Sequence, residues 1–332
     1  MKSTFFCIDA HTCGNPVRLV AGGAPILPHL PIAERRALFV EQYDWVRRAL
    51  MFEPRGHDVM SGAILYPAFR EDCDFAVVFI EVSGCLPMCG AGTIGLVTIA
   101  LEEGLVKPRV PGTLAIETPA GRVDIRYTEE AGKVTSVNLL NVASYLHATD
   151  VAVEVAGLGT LTVDIAYGGN YYAVVEPQGN WAGLEGMSAS AVIDFSRRLR
   201  AALAPVCDPV HPLDERIRGV HHVIWCDQPD DPTVDGRCAV FYGDKAIDRS
   251  PGGTGTSARM AQLHGRGRLA VGQAYRHQSL IGTTFVGRIE AESTVGTFAA
   301  IQPSITGWAR VIGYNTLIVD DADPLAHGFQ IV

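Results

Sequence analysis

Short runs of apolar residues, often alternating with polar ones, recur along the whole chain and predict an α+β protein. Runs rich in Val, Ile, Tyr and Phe and bounded by Gly, Pro, Asp or Asn are typical of β-strands. The predicted strands are Phe75–Val82, Gly121–Tyr127, Leu161–Ala166, Tyr171–Glu176, Cys238–Tyr242 and Val311–Val319. The predicted helices are fewer and cover Ile32–Met51, Gly92–Glu103, Ser188–Leu203 and Thr256–His264.

The sequence resembles itself at an offset of 163 residues, which carries Ala76-Val77 onto Ala239-Val240. In the same register Gly90–Thr93 meets Gly253–Thr256. Chance similarity between glycine-rich loops is the alternative, but several ordered matches in one register favour an internal duplication. We therefore predict two equivalent domains, residues 1–146 and 147–332, with the C-terminal strand packing back on the first domain. Their two Gly-Thr turns are expected to face one cleft.

Each Gly-Thr turn leads into a predicted helix and is suited to binding an anion. Glycines let backbone N–H groups approach a ligand closely, and a helix N-terminus adds about half a positive charge. Neither turn has the Gly-Lys-Ser/Thr of a P-loop or the G-x-G-x-x-G of a dinucleotide-binding βαβ unit. A small carboxylate or phosphate is therefore expected rather than a nucleotide.

Two side chains beside these turns are candidate catalytic or substrate-binding groups. Cys89 stands where the first helix begins, and a helix N-terminus lowers the pKa of a thiol and so favours the nucleophilic thiolate. The alternative is that Cys89 is a small buried apolar residue. Asp248 precedes the second turn, where it either pairs with a cationic substrate group or stabilises the turn itself.

Composition and charge narrow the class of partner. The chain has 332 residues, of which 48% are hydrophobic and 19% charged, as in globular proteins. A formal net charge of −9 argues against nucleic acid, and no apolar run or signal peptide indicates a membrane or export. The eight cysteines are widely spaced, and the Cys85-x3-Cys89 pair lacks further ligands, so we expect reduced thiols and no metal. A cytoplasmic monomer or homodimer with a small-molecule substrate is expected.

Several long motifs together resemble the proline racemase family, and most closely its hydroxyproline epimerases and dehydratases. The motifs are His11–Arg18, Glu53–His57, Met88–Gly95, Asp248–Ser257 and Asp320–Pro324, which extend over nearly the whole chain. The resemblance implies an α+β fold like that of diaminopimelate epimerase, with two domains related by a pseudo-twofold axis. Each domain would wrap a curved sheet or barrel around a central helix, with the active site in the interdomain cleft. It also implies cofactor-free chemistry at the α-carbon of a cyclic imino acid.

The resemblance assigns roles to individual residues. Family racemases and epimerases use two cysteines on opposite faces of the substrate, and Cys89 matches the first of them. The resemblance implies that the substrate carboxylate binds at the two helix N-termini and that Asp248 and His222 hold the ring nitrogen. The substrate-binding positions implied are Gly90, Ala91, His222, Asp248, Gly253 and Thr254. Two positions depart from the family pattern, since Gly252 stands in place of the second cysteine and Ala91 in place of the usual histidine.

With only one thiol, the sequence favours a reaction served from one face of the substrate. In trans-3-hydroxy-L-proline the hydroxyl and the α-hydrogen share a face, so Cys89 can remove the proton and help the hydroxyl to leave. We therefore predict dehydration to Δ1-pyrroline-2-carboxylate. The alternatives are a 4-hydroxyproline 2-epimerase in which water replaces the second thiol, and a catalytically silent amino-acid-binding homologue.

Overall fold

The computed structural model describes residues 2–331, which form nineteen strands and four helices. The first part of the chain contains β1 (Lys2–Thr12), β2 (Asn15–Gly22), α1 (Ile32–Met51), β3 (Ser61–Tyr66), β4 (Phe75–Glu81), α2 (Gly90–Glu102), β5 (Thr113–Thr118), β6 (Gly121–Glu130) and β7 (Lys133–Leu140). The middle contains β8 (Ser144–Val155), β9 (Gly159–Tyr167), β10 (Tyr171–Val175), α3 (Ala189–Leu203), β11 (Val210–His211), β12 (Asp214–Arg218), β13 (His222–Asp227) and β14 (Gly236–Tyr242). The last part contains β15 (Ala246–Ile247), α4 (Gly253–Gly265), β16 (Ala274–Gln278), β17 (Thr284–Val295), β18 (Phe298–Gly307) and β19 (Ala309–Asp320).

The chain divides into two compact units. The first unit contains the residues up to Leu139 together with those from Gly307 onward, and the second is Leu140–Thr306. The division lies a few residues before the predicted boundary between residues 146 and 147. The reason is that Asn141 is bonded within the second unit: its amide N–H donates to the Pro303 carbonyl at 2.9 Å and its side chain to the Gly168 carbonyl at 2.8 Å. The last strand, β19, pairs with β1 in the first unit.

In the first unit a mixed sheet surrounds the helix α2. Strand β1 lies between β19 and β2, antiparallel to both, and β2 is parallel to β3. The sheet continues through β4, parallel to β5, and β5 is antiparallel to β6. Helix α2 packs against β1, β2, β3 and β19, and every residue from Gly90 to Ala100 is buried. A helix that is apolar on all sides requires such an enclosure.

The second unit repeats this arrangement as a closed barrel. Its strands pair in the circuit β8, β9, β10, β13, β14, β16, β17, β18 and back to β8. Helix α4 packs against β8, β9, β10 and β17, and its residues from Gly253 to Leu263 are buried. Because α2 and α4 occupy equivalent places in equivalent units, the α+β fold with a central helix in each half is confirmed.

The predicted helices are confirmed, with one informative difference at their starts. Helix α1 covers the predicted Ile32–Met51, whereas α2 and α4 begin at Gly90 and Gly253, two or three residues before the predicted starts. Glycine has low helix propensity, so sequence patterns place a helix start after a glycine cluster rather than within it. None of the helices within residues 2–331 is long and apolar enough to span a membrane.

Candidate active site

In the first unit Cys89 caps the N-terminus of α2. Its backbone is extended, and its Sγ accepts a hydrogen bond from the Gly92 N–H at 3.2 Å. A Cβ atom at Gly92 would lie 2.9 Å from this sulfur, so the absence of a side chain at Gly92 leaves room for the thiol. The side chain is nearly buried, yet it stands at the positive end of the helix dipole, where a thiolate is favoured.

A carboxylate that the sequence analysis did not single out lies beside this thiol. Cys89 Sγ donates to Glu81 Oε1 at 3.6 Å, and Ser83 Oγ donates to Glu81 Oε2 at 2.7 Å. Glu81 is the last residue of β4, a strand that is buried along its whole length. Its carbonyl is held in turn by Arg47 Nη1 at 2.8 Å. The pair gives the thiol an acceptor for its proton, and the only sequence signal was an acidic residue ending an apolar strand.

The first turn of α2 presents backbone N–H groups for an anion. A helix leaves its first N–H groups without acceptors in the helix itself. Gly92 donates to the cysteine sulfur, and within residues 2–331 the N–H groups of Gly90 and Ala91 have no acceptor. Thr12 Oγ1 fixes this turn by donating to the Ala91 carbonyl at 2.8 Å. Ala91 is buried and offers a methyl group where the family resemblance implies an imidazole.

In the second unit Gly252 occupies the N-cap of α4, the position equivalent to Cys89. Its φ is +75°, a region that favours glycine, and it provides no side-chain cap for the helix. A Cβ atom built here would lie 3.4 Å from Val240 Cγ2 and 3.5 Å from Asp248 Oδ2. The space beside this helix end is therefore open to a small group and is bordered by a carboxylate.

The carboxylate of Asp248 is held by one of its two oxygens. The N–H and the Oγ of Ser250 both donate to Oδ1 at 2.7 Å, and the Asp248 N–H donates to the Val240 carbonyl at 2.7 Å. Within residues 2–331, Oδ2 receives no comparable hydrogen bond. Desolvation by the surrounding protein raises the pKa of Asp248 to about 6, although the bonds from Ser250 and the charge of Arg249 oppose the shift. This carboxyl can therefore carry a proton near neutral pH.

His222 and Thr254 are brought together by Tyr172. The His222 ring lies 4.9 Å from the Tyr172 ring, and the Tyr172 hydroxyl is 2.6 Å from Thr254 Oγ1. Burial lowers the pKa of His222 to about 3, so its imidazole is neutral. Its Nδ1 is buried and has no hydrogen-bond partner within residues 2–331. Tyr172 lies in the predicted strand Tyr171–Glu176, where an aromatic side chain is commonly a packing residue.

The predicted site residues thus fall into one group in each unit. Cys89, Gly90 and Ala91 stand together at the start of α2. The other predicted residues, His222, Asp248, Gly252, Gly253 and Thr254, belong to the second unit, at the start of α4 and on the segments beside it. The first group combines helix N–H groups with the Cys89 thiol, and the second combines them with the Asp248 carboxyl and the His222 imidazole. Groups of this kind can bind a carboxylate and move a proton.

Comparison with known proteins identifies the family. A family model described as proline racemase matches residues 7–330. The chain belongs to the proline racemase family. Among curated members of this family, the chain is 71% identical to "4-hydroxyproline 2-epimerase 2" of Rhizobium rhizogenes over 331 residues, covering 100% of both chains. It is 55% identical to "4-hydroxyproline 2-epimerase" of Shewanella loihica, again over 100% of both. These relatives support an enzyme of the isomerase type.

Solved structures of the proline racemase family share the fold over the full chain. A hydroxyproline epimerase from Agrobacterium vitis, with bound trans-4-hydroxy-L-proline, matches with a TM-score of 0.92 at 29% identity, over 99% of this chain and 96% of that one. A probable proline racemase from Agrobacterium radiobacter, with bound carbonate, matches with a TM-score of 0.91 at 32% identity, over 98% and 96%. Both matches extend along nearly the whole chain, so the likeness is to the complete fold of those proteins.

Proposed function

We propose that this protein is a 4-hydroxyproline 2-epimerase that interconverts trans-4-hydroxy-L-proline and cis-4-hydroxy-D-proline. The observation that carries the proposal is the full-length identity of 71% to a Rhizobium rhizogenes protein of that name. The relatives favour this reading, which the sequence analysis gave as an alternative, over the dehydratase that it preferred. The reaction inverts the α-carbon by removing a proton from one face and adding one to the other.

Cys89 is the base in this proposal. Its thiolate takes the α-proton, and the electron pair of the broken C–H bond moves into the substrate carboxylate. The N–H groups of Gly90 and Ala91, with those of Gly253 and Thr254, stabilise the charge that develops on the carboxylate oxygens. Hydrogen-bond donors that are already in place at developing charge contribute several kcal/mol to such steps, roughly 3–4 for one donor in measured cases.

The ring nitrogen is assigned to His222 and Asp248. The buried Nδ1 of a neutral His222 can accept a hydrogen bond from the substrate ammonium, which would satisfy an atom that has no partner within residues 2–331. Asp248 lies beside the α4 N-terminus, with Oδ2 3.5 Å from the place of a Cβ atom at Gly252. The family resemblance implies this pairing, and the chemistry of both groups is compatible with it.

The dehydratase remains a second candidate because of one specific observation. Gly252 has no side chain, so the position that carries a second thiol in the family pattern cannot hold a proton. Dehydration of trans-3-hydroxy-L-proline needs acid–base chemistry on one face only. Epimerisation needs a proton source on the second face, and water in the space beside Gly252 is the simplest source.

One experiment separates the candidates. The protein is incubated in D2O with trans-4-hydroxy-L-proline and, separately, with trans-3-hydroxy-L-proline, and the products are followed by NMR and chiral chromatography. An epimerase forms the cis-4-hydroxy-D isomer with deuterium at the α-carbon. Formation of Δ1-pyrroline-2-carboxylate from the 3-hydroxy compound, with no epimer of the 4-hydroxy compound, would replace the proposal with the dehydratase. Binding without exchange or product would indicate the silent homologue.

A further inference from the structure

The proposed function leaves a proton on Cys89 at the end of each turnover. Cys89 takes the α-proton of the substrate, and the proton added to the other face comes from water, so the thiol does not return its proton to the product. The thiolate must be regenerated before the next substrate reacts. The dehydratase has no such need, because the same proton leaves with the hydroxyl group as water. A route from the Cys89 thiol to solvent is therefore a specific requirement of the epimerase.

The contacts of Glu81 provide such a route within the first unit. Cys89 Sγ donates to Glu81 Oε1 at 3.6 Å, and Ser83 Oγ donates to Glu81 Oε2 at 2.7 Å. Glu81 is 6% exposed and the Cys89 thiol is nearly buried, whereas Ser83 is exposed. One buried carboxylate thus joins the thiol to a hydroxyl group at the surface.

We propose that Glu81 carries the proton of Cys89 to solvent after each inversion, with Ser83 at the outer end of the path. The inference rests on the proposed function, because only the epimerase must release this proton at every turnover. Glu81 acts through Cys89 and not on the substrate, so it is a positioning residue for the proton. In the reverse reaction the same path loads the thiol with a proton from solvent.

The backbone around Glu81 is fixed independently of its carboxylate. Its N–H donates to the Gly84 carbonyl at 2.8 Å and the Gly84 N–H donates back at 3.1 Å, which closes a tight turn that contains Ser83. Arg47 Nη1 donates to the Glu81 carbonyl at 2.8 Å, and Arg47 is itself held by both oxygens of Asp44 at 2.6 and 2.8 Å. Replacing the Glu81 side chain leaves these contacts in place.

The contacts of the sulfur suit both of its protonation states. The thiol donates to Glu81 Oε1, while Sγ accepts from the Gly92 N–H at 3.2 Å. When the proton moves to Glu81, this N–H stabilises the thiolate and the carboxyl group becomes neutral. Once the proton has reached solvent, the negative charge of Glu81 makes the neighbouring thiolate a stronger base for the next α-proton.

The transfers balance over one turnover. The S–H bond breaks with its electron pair left on sulfur, and the proton forms an O–H bond with Glu81. The carboxyl group turns about its Cγ–Cδ bond and gives this proton to Ser83 Oγ, whose hydroxyl passes its own proton to water. The released proton neutralises the hydroxide that remains after water has protonated the α-carbon.

The test uses Glu81→Gln in the full-length protein. Glutamine keeps the size of the side chain and an oxygen to accept the bond from Ser83, but it cannot carry the proton. Epimerisation of trans-4-hydroxy-L-proline is measured by chiral chromatography over a range of substrate concentrations. We expect kcat to fall at least about 5-fold, since a positioned proton carrier contributes about 10²–10⁴ to the step that it serves. We expect kcat/KM to stay within about 3-fold of wild type, because the thiolate form captures substrate before the proton is released.

Alkylation of Cys89 by iodoacetamide, measured on the same samples, separates proton release from damage to the thiol. Its rate should not fall in Glu81→Gln, because removing the carboxylate charge favours the thiolate. Glu71→Gln is the matched control, since it makes the same change at an exposed position of the same unit and should leave all three quantities unchanged.

Ser83→Ala tests the outer end of the path and does not depend on the folding of Glu81→Gln. Ser83 is exposed, so its replacement disturbs little packing. Loss of its hydrogen bond to Glu81 should lower kcat at least about 3-fold, which corresponds to one ordinary hydrogen bond, and leave kcat/KM near wild type.

Two results would overturn the inference. The first is a smaller fall in kcat than expected for Glu81→Gln, or for Ser83→Ala where Glu81→Gln does not fold. The second is a loss of kcat/KM together with slower alkylation, which would show that Glu81 only shapes the thiol site. Failure of the wild-type protein to epimerise 4-hydroxyproline is a separate result, because it contradicts the proposed function without any variant.

Discussion

The free energy of unfolding of Asp248→Asn, compared with that of the wild type, should increase as the pH rises from 5 to 8. Desolvation raises the pKa of Asp248 from 3.8 to about 6 in the folded protein. The folded state therefore binds this proton more tightly than the unfolded state does. The stabilisation that protonation provides is complete at low pH and is lost as the pH rises from about 4 through 6.

The magnitude follows from these two pKa values. The difference between the two pKa values corresponds to about 3 kcal/mol in the free energy of unfolding between a pH well below 4 and a pH well above 6. About 1.4 kcal/mol of this change falls between pH 5 and pH 8. The variant lacks this titration, so its free energy of unfolding should rise by that amount relative to the wild type. The neighbouring groups do not obscure the effect. His222 and His277 have pKa values lowered to about 3, and burial keeps the Cys238 thiol protonated throughout this range.

Urea unfolding at several pH values measures this difference. Trp181 and Trp225 lie 4.9 Å apart in the core of the second unit and report its unfolding by fluorescence. Asp244→Asn is the matched control, because it makes the same change of side chain at an exposed position on the preceding turn. A difference between Asp248→Asn and the wild type that is constant from pH 5 to pH 8 would refute the reasoning, since it would show that the carboxyl is not desolvated.

Three further predictions concern the two helix N-termini. Glu81→Gln should speed alkylation of Cys89 by iodoacetamide several-fold at pH 7, because a carboxylate beside a thiol disfavours the thiolate. Peptide mass spectrometry measures the rate, with half-buried Cys207 as the internal reference. An unchanged ratio of the two rates would contradict the prediction. Gly92→Ala should lower kcat/KM by about 10- to 100-fold with little loss of stability, because its Cβ would lie 2.9 Å from the reactive sulfur; wild-type kinetics would contradict this. Gly252→Ala should cost about 1–2 kcal/mol in urea unfolding, because φ is +75° there, and an equally stable variant would contradict it.

Much of the architecture was predictable because it depends on local patterns and on the internal repeat. The helix α1 and the strand β4 have strong periodic or continuous apolar patterns, and both lie where the sequence places them. The offset of 163 residues pairs Cys89 with Gly252, and the structure puts both at the N-cap of a central helix. Such features can be predicted because each depends on the residue types within a short stretch of the chain.

The details of the site depend on contacts between distant residues, which the sequence does not display. Glu81 is eight positions before Cys89, and nothing in that spacing indicates that the end of β4 returns to the start of α2. Tyr172 and Thr254 are 82 positions apart, and their hydrogen bond exists only because β10 packs against α4. The surroundings of Asp248 likewise follow from the turn through Ser250, which binds Oδ1, and from the missing side chain at Gly252.

The central claim is that one thiol and a different proton carrier together invert the α-carbon of 4-hydroxyproline. Its most direct test is the isotopic content of substrate and product early in the reaction, measured by mass spectrometry after trans-4-hydroxy-L-proline is mixed with the enzyme in D2O. We predict cis-4-hydroxy-D-proline with deuterium at the α-carbon while the remaining substrate still carries protium. A product that retains the original protium would show that a single group moves the proton between faces, and the absence of any deuterated epimer would contradict the account altogether.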